Sequence, residues 1–376
     1  MNILGYILWD VSPSIVNFFG REIRWYGLLW ALSFIAGSYL MTWMYENAGR
    51  NKKEIDSLTI YMMLATVLGA RLGHCIFYDW DLYKDNLISI LYVWEGGLAS
   101  HGAGLGILTG VYLYTRKFKV DLLWLFDRIA IGVALAGALI RIGNYMNSEI
   151  IGKASDANTS VAFVLNAERR LMNVNYRLEN QNQKIQSIDF EKISGDTLVN
   201  DFNYPKVKLK LNFSKNAFPS KETASMFVKS KILTRLYQIE KQQSIKEHHV
   251  VLLNTIPKID YETNGLETIV SFNAFLVTRH PAQMYEAISC LLLFLVLLGI
   301  YYKLKENTPK GILCGIFFVV VFSLRFVWET MKEVQVDFEE NMTYNMGQLL
   351  SLPFIVLGIY LLYNSLKNKK KENIHT

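Results

Sequence analysis

Cysteine is scarce: three occur in 376 residues, Cys75, Cys290 and Cys314, each inside an apolar run. Their separations match neither a zinc ligand set nor a disulfide framework, so they read as small apolar packing residues. Also missing are a phosphate-cradling P-loop, a G-x-S-x-G elbow, a His/Glu pair at metal-ligand spacing within a span and an acidic cluster suited to Mg²⁺. Neither a metal nor a cofactor is expected, and cationic side chains must handle any anionic group. The opening residues lack a basic stretch followed by a small-residue cleavage site, so the first apolar span is expected to serve as the targeting signal. No internal repeat is visible.

What is abundant is apolar sequence: 51% of the residues are hydrophobic, and they fall in long runs. Runs of about 20 residues, the length that crosses a ~30 Å hydrocarbon core, lie at 25–45, 58–78, 97–114, 122–146, 283–303, 311–330 and 347–363. The expected fold is an all-α polytopic membrane protein of about seven transmembrane helices. Segment 2–20 is apolar and aromatic but is interrupted by Asp10, Pro13 and Gly20, so it reads as interfacial.

Lys and Arg fix the expected orientation. Arg50, Lys52 and Lys53, then Arg116, Lys117 and Lys119, then Lys303, Lys305 and Lys310, then Lys367, Lys369, Lys370 and Lys371 make every second connection basic. The connections 79–90 and 331–345 lean acidic, which puts the N-terminus outside and the C-terminus in the cytoplasm; Arg21 and Arg24 alone pull the other way. The net charge of +6 is mostly this cytoplasmic excess, so no nucleic-acid partner is needed to explain it.

Between the fourth and fifth spans, 152–279 is polar and carries both signs of charge, which reads as an inserted α+β extracytoplasmic domain. Segment 206–213 alternates strictly, as a half-buried strand does, and 222–243 has apolar residues at helical spacing. Strands are also expected at 160–166, 248–254 and 268–277. The chain thus divides into a membrane first half (1–151), a head (152–279), a membrane second half (280–365) and a basic cytoplasmic tail (366–376).

An ionisable residue at membrane depth costs several kcal/mol unless it pairs, faces the bundle interior or binds something. The densest group closes the fourth span in 137–152 (GALIRIGNYMNSEIIG): Arg141, Asn144, Asn147 and Glu149, with Gly137 and Gly143 allowing close approach. Arg141 and Asn144 share a helix face. In the sixth span Arg325 and Glu329 lie four apart on one face, as an ion pair between helices or as a ligand site. His101 sits among glycines 96, 97, 102, 104 and 106, which thin the helix and open space beside the imidazole. Residues 279–286 (RHPAQMYE) begin the fifth span; Gln283 and Glu286 share a face, as an interfacial helix start or as substrate contacts. Arg71, with His74 and Tyr78, lies in the second span, and Arg24, Trp25 and Tyr26 open the first. Two or three arginines in a lipid-exposed bundle suit a phospholipid headgroup, since a guanidinium grips phosphate oxygens with two parallel hydrogen bonds.

Taken together, 141–149 (RIGNYMNSE), the His-Gly run at 101, His-Pro-x-Gln-x-Tyr-Glu at 280–286, Arg-x-x-x-Glu at 325–329 and 346–353 (MGQLLSLP) resemble the prolipoprotein diacylglyceryl transferase family in order and spacing. The resemblance covers nearly all of 20–168 and 269–365. It implies a multi-pass enzyme of the bacterial cytoplasmic (inner) membrane that moves a diacylglyceryl group from phosphatidylglycerol to the lipobox cysteine thiol of a prolipoprotein, forming a thioether and releasing glycerol phosphate. Its partners would be phosphatidylglycerol, the prolipoprotein signal peptide and membrane lipid.

By the same resemblance Arg141 and Arg325 are functional arginines that hold the phosphate, Asn144 and Asn147 hydrogen-bond the headgroup, and Glu149 orients an arginine or the amides. His101 matches the proposed base, a task suited to imidazole, and Tyr26 another functional position; the field of two arginines could also favour the thiolate without a dedicated base. Arg71, Gln283, Tyr285, Glu286 and Glu329 would support the site. Departures from the family pattern are Ser148 for a usual glycine, Val321 for a common tyrosine, Lys332 for a frequent arginine, and a head insert at about 168–268. The competing readings are a polytopic transporter, against which the polar motifs fail to recur in two halves, and a non-catalytic lipid-binding membrane protein.

Overall fold

The computed structural model describes residues 6–18, 20–51, 53–92, 97, 99–175, 185–242, 244–263, 267–333, 339 and 342–375. Residues 94–96 of the glycine cluster around His101, Lys52 of the first basic connection and most of 334–341 in the second acidic connection lie outside these. The chain forms two compact units, one of Met1–Leu28, Arg141–Glu286 and Val327–Thr343, the other of Leu29–Ile140, Ala287–Phe326 and Tyr344–Thr376.

Among the described residues six helices are long and apolar enough to cross a membrane: Trp25–Asn47, Lys53–Phe77, Leu122–Met146, Ala282–Asn307, Ile312–Glu329 and Met346–Lys369. Their outer faces leave Leu64, Leu68, Leu72, Leu292, Val296, Val356 and Tyr360 exposed, a waste of apolar surface in water and a requirement in lipid. The protein is a polytopic membrane protein. The run read as a third span forms the helix Ser100–Phe118 and stands outside the six, because its glycines, His101, Arg116 and Lys117 dilute the apolar content. The last helix continues through the basic tail to His375.

In the mainly helical unit, Met44, Tyr45, Leu58, Val111, Tyr114, Leu125, Leu297, Tyr301 and Leu313 form a continuous apolar core. The buried Asp127 caps the helix Ile312–Glu329, accepting from the backbone N–H of Gly311 at 2.6 Å and of Cys314 at 2.8 Å. Arg128, also buried, pairs with Glu306 at 2.8 Å and lies 3.8 Å from the ring centre of Trp124. The glycines near His101 take part in a helix crossing. Gly102 and Gly106 meet Gly69, Gly73 and Ala65 backbone to backbone, and a Cβ at Gly73 would lie 2.7 Å from Gly102 Cα. Two small-x-x-x-small faces in contact are the usual device for close helix approach in lipid, so these glycines serve packing; at Gly104, by contrast, the space is open.

In the other unit, Asp260–Thr263, Glu267–Leu276, Lys206–Ser214 and Ile185–Lys192 form an antiparallel sheet in that order, and Val250–Val251 pairs with the end of Glu267–Leu276. The strictly alternating 206–213 is a sheet strand, with Val207, Leu209, Leu211 and Phe213 inward. The run 222–243 forms helical turns from Lys221 to Gln242, whose Phe227, Val228, Ile232 and Leu236 cover that inner face.

Three expectations shift. Only Val161–Phe163 of the 160–166 run is a strand, after which Val164, Ala167 and Leu171 bury a helical stripe in Val164–Asn175. The strand expected at 248–254 is Val250–Val251, because Leu253 and Asn254 turn away with φ of 51° and 56°. In the apolar segment 2–20, Ile7–Trp9 pairs in parallel with Val161–Phe163, a partner too remote in sequence for local patterning to reveal.

Gly102→Leu should push the two glycine faces apart and lower stability by about 1–3 kcal/mol, the cost of overpacking a close-packed contact. Thermal unfolding in detergent should show a lower transition for this variant and an unchanged one for Gly104→Leu.

Candidate active site

The helix Leu122–Met146 ends at the densest group of polar residues closing an apolar run, and the backbone there is constrained. Ser148 and Ile150 have φ of 53° and 55°, the left-handed region that a β-branched residue enters at a cost of about 1–2 kcal/mol. Glycine would enter this region without that cost. Two clamps hold the turn: Glu149 N donates to Asn144 O at 2.9 Å, and Gln283 Nε2 donates to Glu149 O at 2.5 Å. Beneath it Tyr145, Ile151, Val161 and Phe163 pack with Trp9 and Met284, so the strand pair near the N-terminus supports the helix end. Gly143 faces Tyr26, where a Cβ would lie 3.0 Å from the ring.

Arg141 stands in the penultimate turn of Leu122–Met146, and Glu286 in the second turn of Ala282–Leu304. Arg141 Nε lies 2.6 Å from Glu286 Oε2. Lys332 Nζ lies 2.7 Å from Glu286 Oε1 and 2.9 Å from Glu329 Oε1. Both cations and both carboxylates are largely buried, Lys332 nearly completely, so each charge depends on the others. Among the described residues the Nη groups of Arg141 donate no hydrogen bond, and its side chain remains 24% exposed. The guanidinium is therefore anchored at one edge and open at the other.

Beside it, Asn144 and Asn147 both donate to the carboxylate of Glu149, at 3.5 and 3.3 Å. Glu149 thus aligns the amides. Asn147 Oδ1, Ser148 Oγ and Gln283 Oε1 are buried and, among the described residues, make no hydrogen bond. Buried polar atoms without partners are costly, and three around one turn mark a place where a polar ligand would be held. Tyr285 OH contacts Thr159 Oγ1 at 3.1 Å and His280 Nδ1 at 3.3 Å, and its ring packs on Trp328.

The sequence-derived residues thus divide. Tyr26, Arg141, Asn144, Asn147, Glu149, Gln283, Tyr285, Glu286 and Glu329 share one unit. Arg71, His101 and Arg325 belong to the other. There His101 is exposed, with Phe77 and Tyr78 rings at 5.6 Å. Arg71 is a buried structural anchor: its guanidinium donates to the carbonyls of Ile90 and Ser89, both at 2.9 Å, and lies over Tyr83. Arg325 is half-buried near the end of Ile312–Glu329.

Two residues central to the geometry carried no role in the sequence reading. Lys332 stood out only as a departure; its three-residue spacing from Glu329 was the available signal. Arg279 is buried, pairs with Glu333, and donates to the carbonyls of Gly152, Lys246 and His248. Gly152 must be glycine here, since a Cβ would lie 2.6 Å from His280 O and 2.9 Å from Met331 O. This knot holds 152, 246–248, 279–280 and 331–333 together behind the site. Burial pushes the Glu333 carboxyl up and the Arg279 guanidinium down, each opposed by the partner's charge.

A family model described as prolipoprotein diacylglyceryl transferase matches residues 13–364. A phosphatidylglycerol–prolipoprotein diacylglyceryl transferase of Chloroherpeton thalassium is 30% identical over 373 residues, covering 99% of each chain. Proteins of the same name from Tolumonas auensis and Porphyromonas gingivalis are 29% and 28% identical, covering 97% and 98% of this chain and 100% and 98% of their own.

Lys332→Met should remove the cation that Glu286 and Glu329 share and cost about 3–5 kcal/mol, the usual penalty for breaking a buried ion pair. Denaturation in detergent should show that loss, with most of it recovered in Lys332→Arg.

Proposed function

The chain belongs to the prolipoprotein diacylglyceryl transferase family, and on that premise we propose how its own residues carry the reaction. The protein is a transferase that moves the diacylglyceryl group of phosphatidylglycerol to a prolipoprotein. The acceptor is the thiol of the lipobox cysteine. Its sulfur bonds to the glyceryl carbon as the bond from that carbon to the phosphate oxygen breaks, so a thioether forms and glycerol phosphate leaves. Negative charge localises on the departing phosphate. A cation placed to hold it more tightly in the transition state than in the lipid accelerates that step.

The observation that carries this reading is Arg141, ion-paired through Nε with Glu286, its Nη groups making no hydrogen bond among the described residues. Those groups present two parallel N–H donors to phosphate oxygens. Asn144 and Asn147, aligned by Glu149, and the orphaned oxygens of Asn147 and Gln283 suit the hydroxyls of a glycerol headgroup. Tyr26, Gln283, Tyr285, Glu286 and Glu329 support this arrangement. Arg325 as a second phosphate-holding cation and His101 as the base that takes the thiol proton are assigned by their motifs alone, and Arg71 is assigned a supporting role.

The reaction is placed at the outer face of the bacterial cytoplasmic membrane, with the N-terminus and the 152–279 head outside and the C-terminus inside. The helix Ser100–Phe118 is proposed as the seventh span; its 19 residues reach about 28 Å at the helical rise. The α+β head is then an insertion between the fourth and fifth spans, and the segment at about 168–268 within it is the family-atypical part.

Purified protein given phosphatidylglycerol and a lipobox peptide should yield a peptide gaining one diacylglyceryl mass; absence of product where a known transferase works removes the assignment. Arg141→Ala should lower kcat/KM by about 100-fold or more, the scale of losing a preorganised charge donor, and unchanged turnover would move phosphate stabilisation elsewhere. His101→Gln should lower kcat by about 100-fold, the scale of losing a general base, while phosphatidylglycerol binding persists; an unchanged kcat excludes the imidazole as base.

A further inference from the structure

The helix Leu122–Met146 closes in a Schellman turn. Glu149 N donates to Asn144 O at 2.9 Å and Ser148 N to Tyr145 O at 3.0 Å, so Ser148 is the residue that must turn left-handed, and its φ is 53°. Glycine is favoured at that position, because a Cβ there crowds the following carbonyl oxygen. A short polar side chain can offset the crowding by bonding to nearby backbone. Ser148 makes no such bond: the residue is 2% exposed, and among the described residues its buried Oγ meets no partner. The chain therefore carries at one position a side chain that strains the backbone and a hydroxyl removed from water without a bond. Glycine would avoid both. Strain and unmet polarity on one residue point outward, to something that the hydroxyl binds.

The neighbouring amides define its chemistry. Asn147 Nδ2 donates to Glu149 Oε1 at 3.3 Å, and Gln283 Nε2 donates to Glu149 O at 2.5 Å, so the nitrogen of each amide is committed to Glu149. The oxygens, Asn147 Oδ1 and Gln283 Oε1, are buried and accept no hydrogen bond among the described residues. A side-chain carbonyl only accepts, whereas a serine hydroxyl also donates. A group that met all three would donate twice and accept once. A phosphate oxygen donates nothing, and an ammonium has no lone pair for the serine hydrogen. Two neighbouring alcohol groups supply both functions. We propose that Ser148 selects the lipid headgroup: its hydroxyl donates to one of the two free hydroxyls of the phosphatidylglycerol headgroup, whose own hydrogens go to Asn147 Oδ1 and Gln283 Oε1. This role rests on the reading of phosphatidylglycerol as the lipid held beside Arg141. It adds a residue that favours a diol over other alcohols esterified to the same phosphate.

Phosphatidylpropanol carries the same phosphodiester without free hydroxyls, so competition between it and phosphatidylglycerol isolates the diol. Purified protein is given a lipobox peptide and equal amounts of both lipids, one with deuterated acyl chains, and the masses of the modified peptide report the ratio of the two kcat/KM values. The unaltered protein should favour phosphatidylglycerol, and that preference should fall about tenfold in Ser148→Gly and in Ser148→Ala, the scale of one neutral hydrogen bond. Ser148→Gly should also unfold at a temperature no lower than that of the unaltered protein, because glycine takes the left-handed conformation without crowding. Equal use of the two lipids by the unaltered protein, a preference unchanged in both variants, or a lower unfolding temperature for Ser148→Gly overturns the assignment and leaves the transferase reading standing. Product from neither lipid removes that reading and the assignment with it.

Discussion

Two cations and two carboxylates share a small, largely dehydrated volume where the helices of Arg141 and Glu286 approach one another. Leaving either Arg141 or Lys332 without a counter-charge there would cost several kcal/mol, because an ion would be held out of water unpaired. Glu286 sits between them, one oxygen toward each, and Glu329 completes the balance. The balance is local and directional. Lys332 is spent entirely inside the group, whereas Arg141 is held at Nε and keeps its other edge for an incoming anion. A guanidinium that is already oriented loses little freedom on gripping an anion, which suits the phosphate-holding role proposed for it.

Much of the surrounding structure serves that placement. The turn after Arg141 adopts two unfavourable backbone conformations, and Gln283 holds it from the same helix face that carries Glu286. Arg279 gathers four chain segments behind the turn, and Gly152 permits them to meet. The same unit contributes through Trp9 and Phe163, whose packing on Tyr145 braces the helix end. A sheet that carries no assigned chemistry thus shares its unit with the residues that do.

Six of the seven apolar runs were legible as membrane-length helices because lipid imposes long apolar runs that no soluble fold needs, and the grouping of Asn144, Asn147 and Glu149 just after Arg141 stood out because polar residues closing such a run demand explanation. Lys332 and Arg279 were not, since each takes its meaning from a partner distant in the chain, and local spacing carries no information about it. The glycines around His101 were read as room beside an imidazole; Gly102 and Gly106 instead meet the backbone of a neighbouring helix, a use visible only once Gly69 and Gly73 are placed opposite them. Strand ends in the head shifted for a related reason: Val161–Phe163 pairs with a segment near the N-terminus, and helical burial takes over where that pairing stops.

The central claim is that Glu286 keeps Arg141 aimed, and steady-state turnover of phosphatidylglycerol by Glu286→Gln measures it most directly. The substitution preserves shape and removes the charge shared by Arg141 and Lys332. The account predicts a folded protein whose kcat falls by about 100-fold, close to 2.7 kcal/mol of transition-state stabilisation, with a smaller change in KM. A folded Glu286→Gln protein that turns over at the rate of the unaltered protein would contradict it.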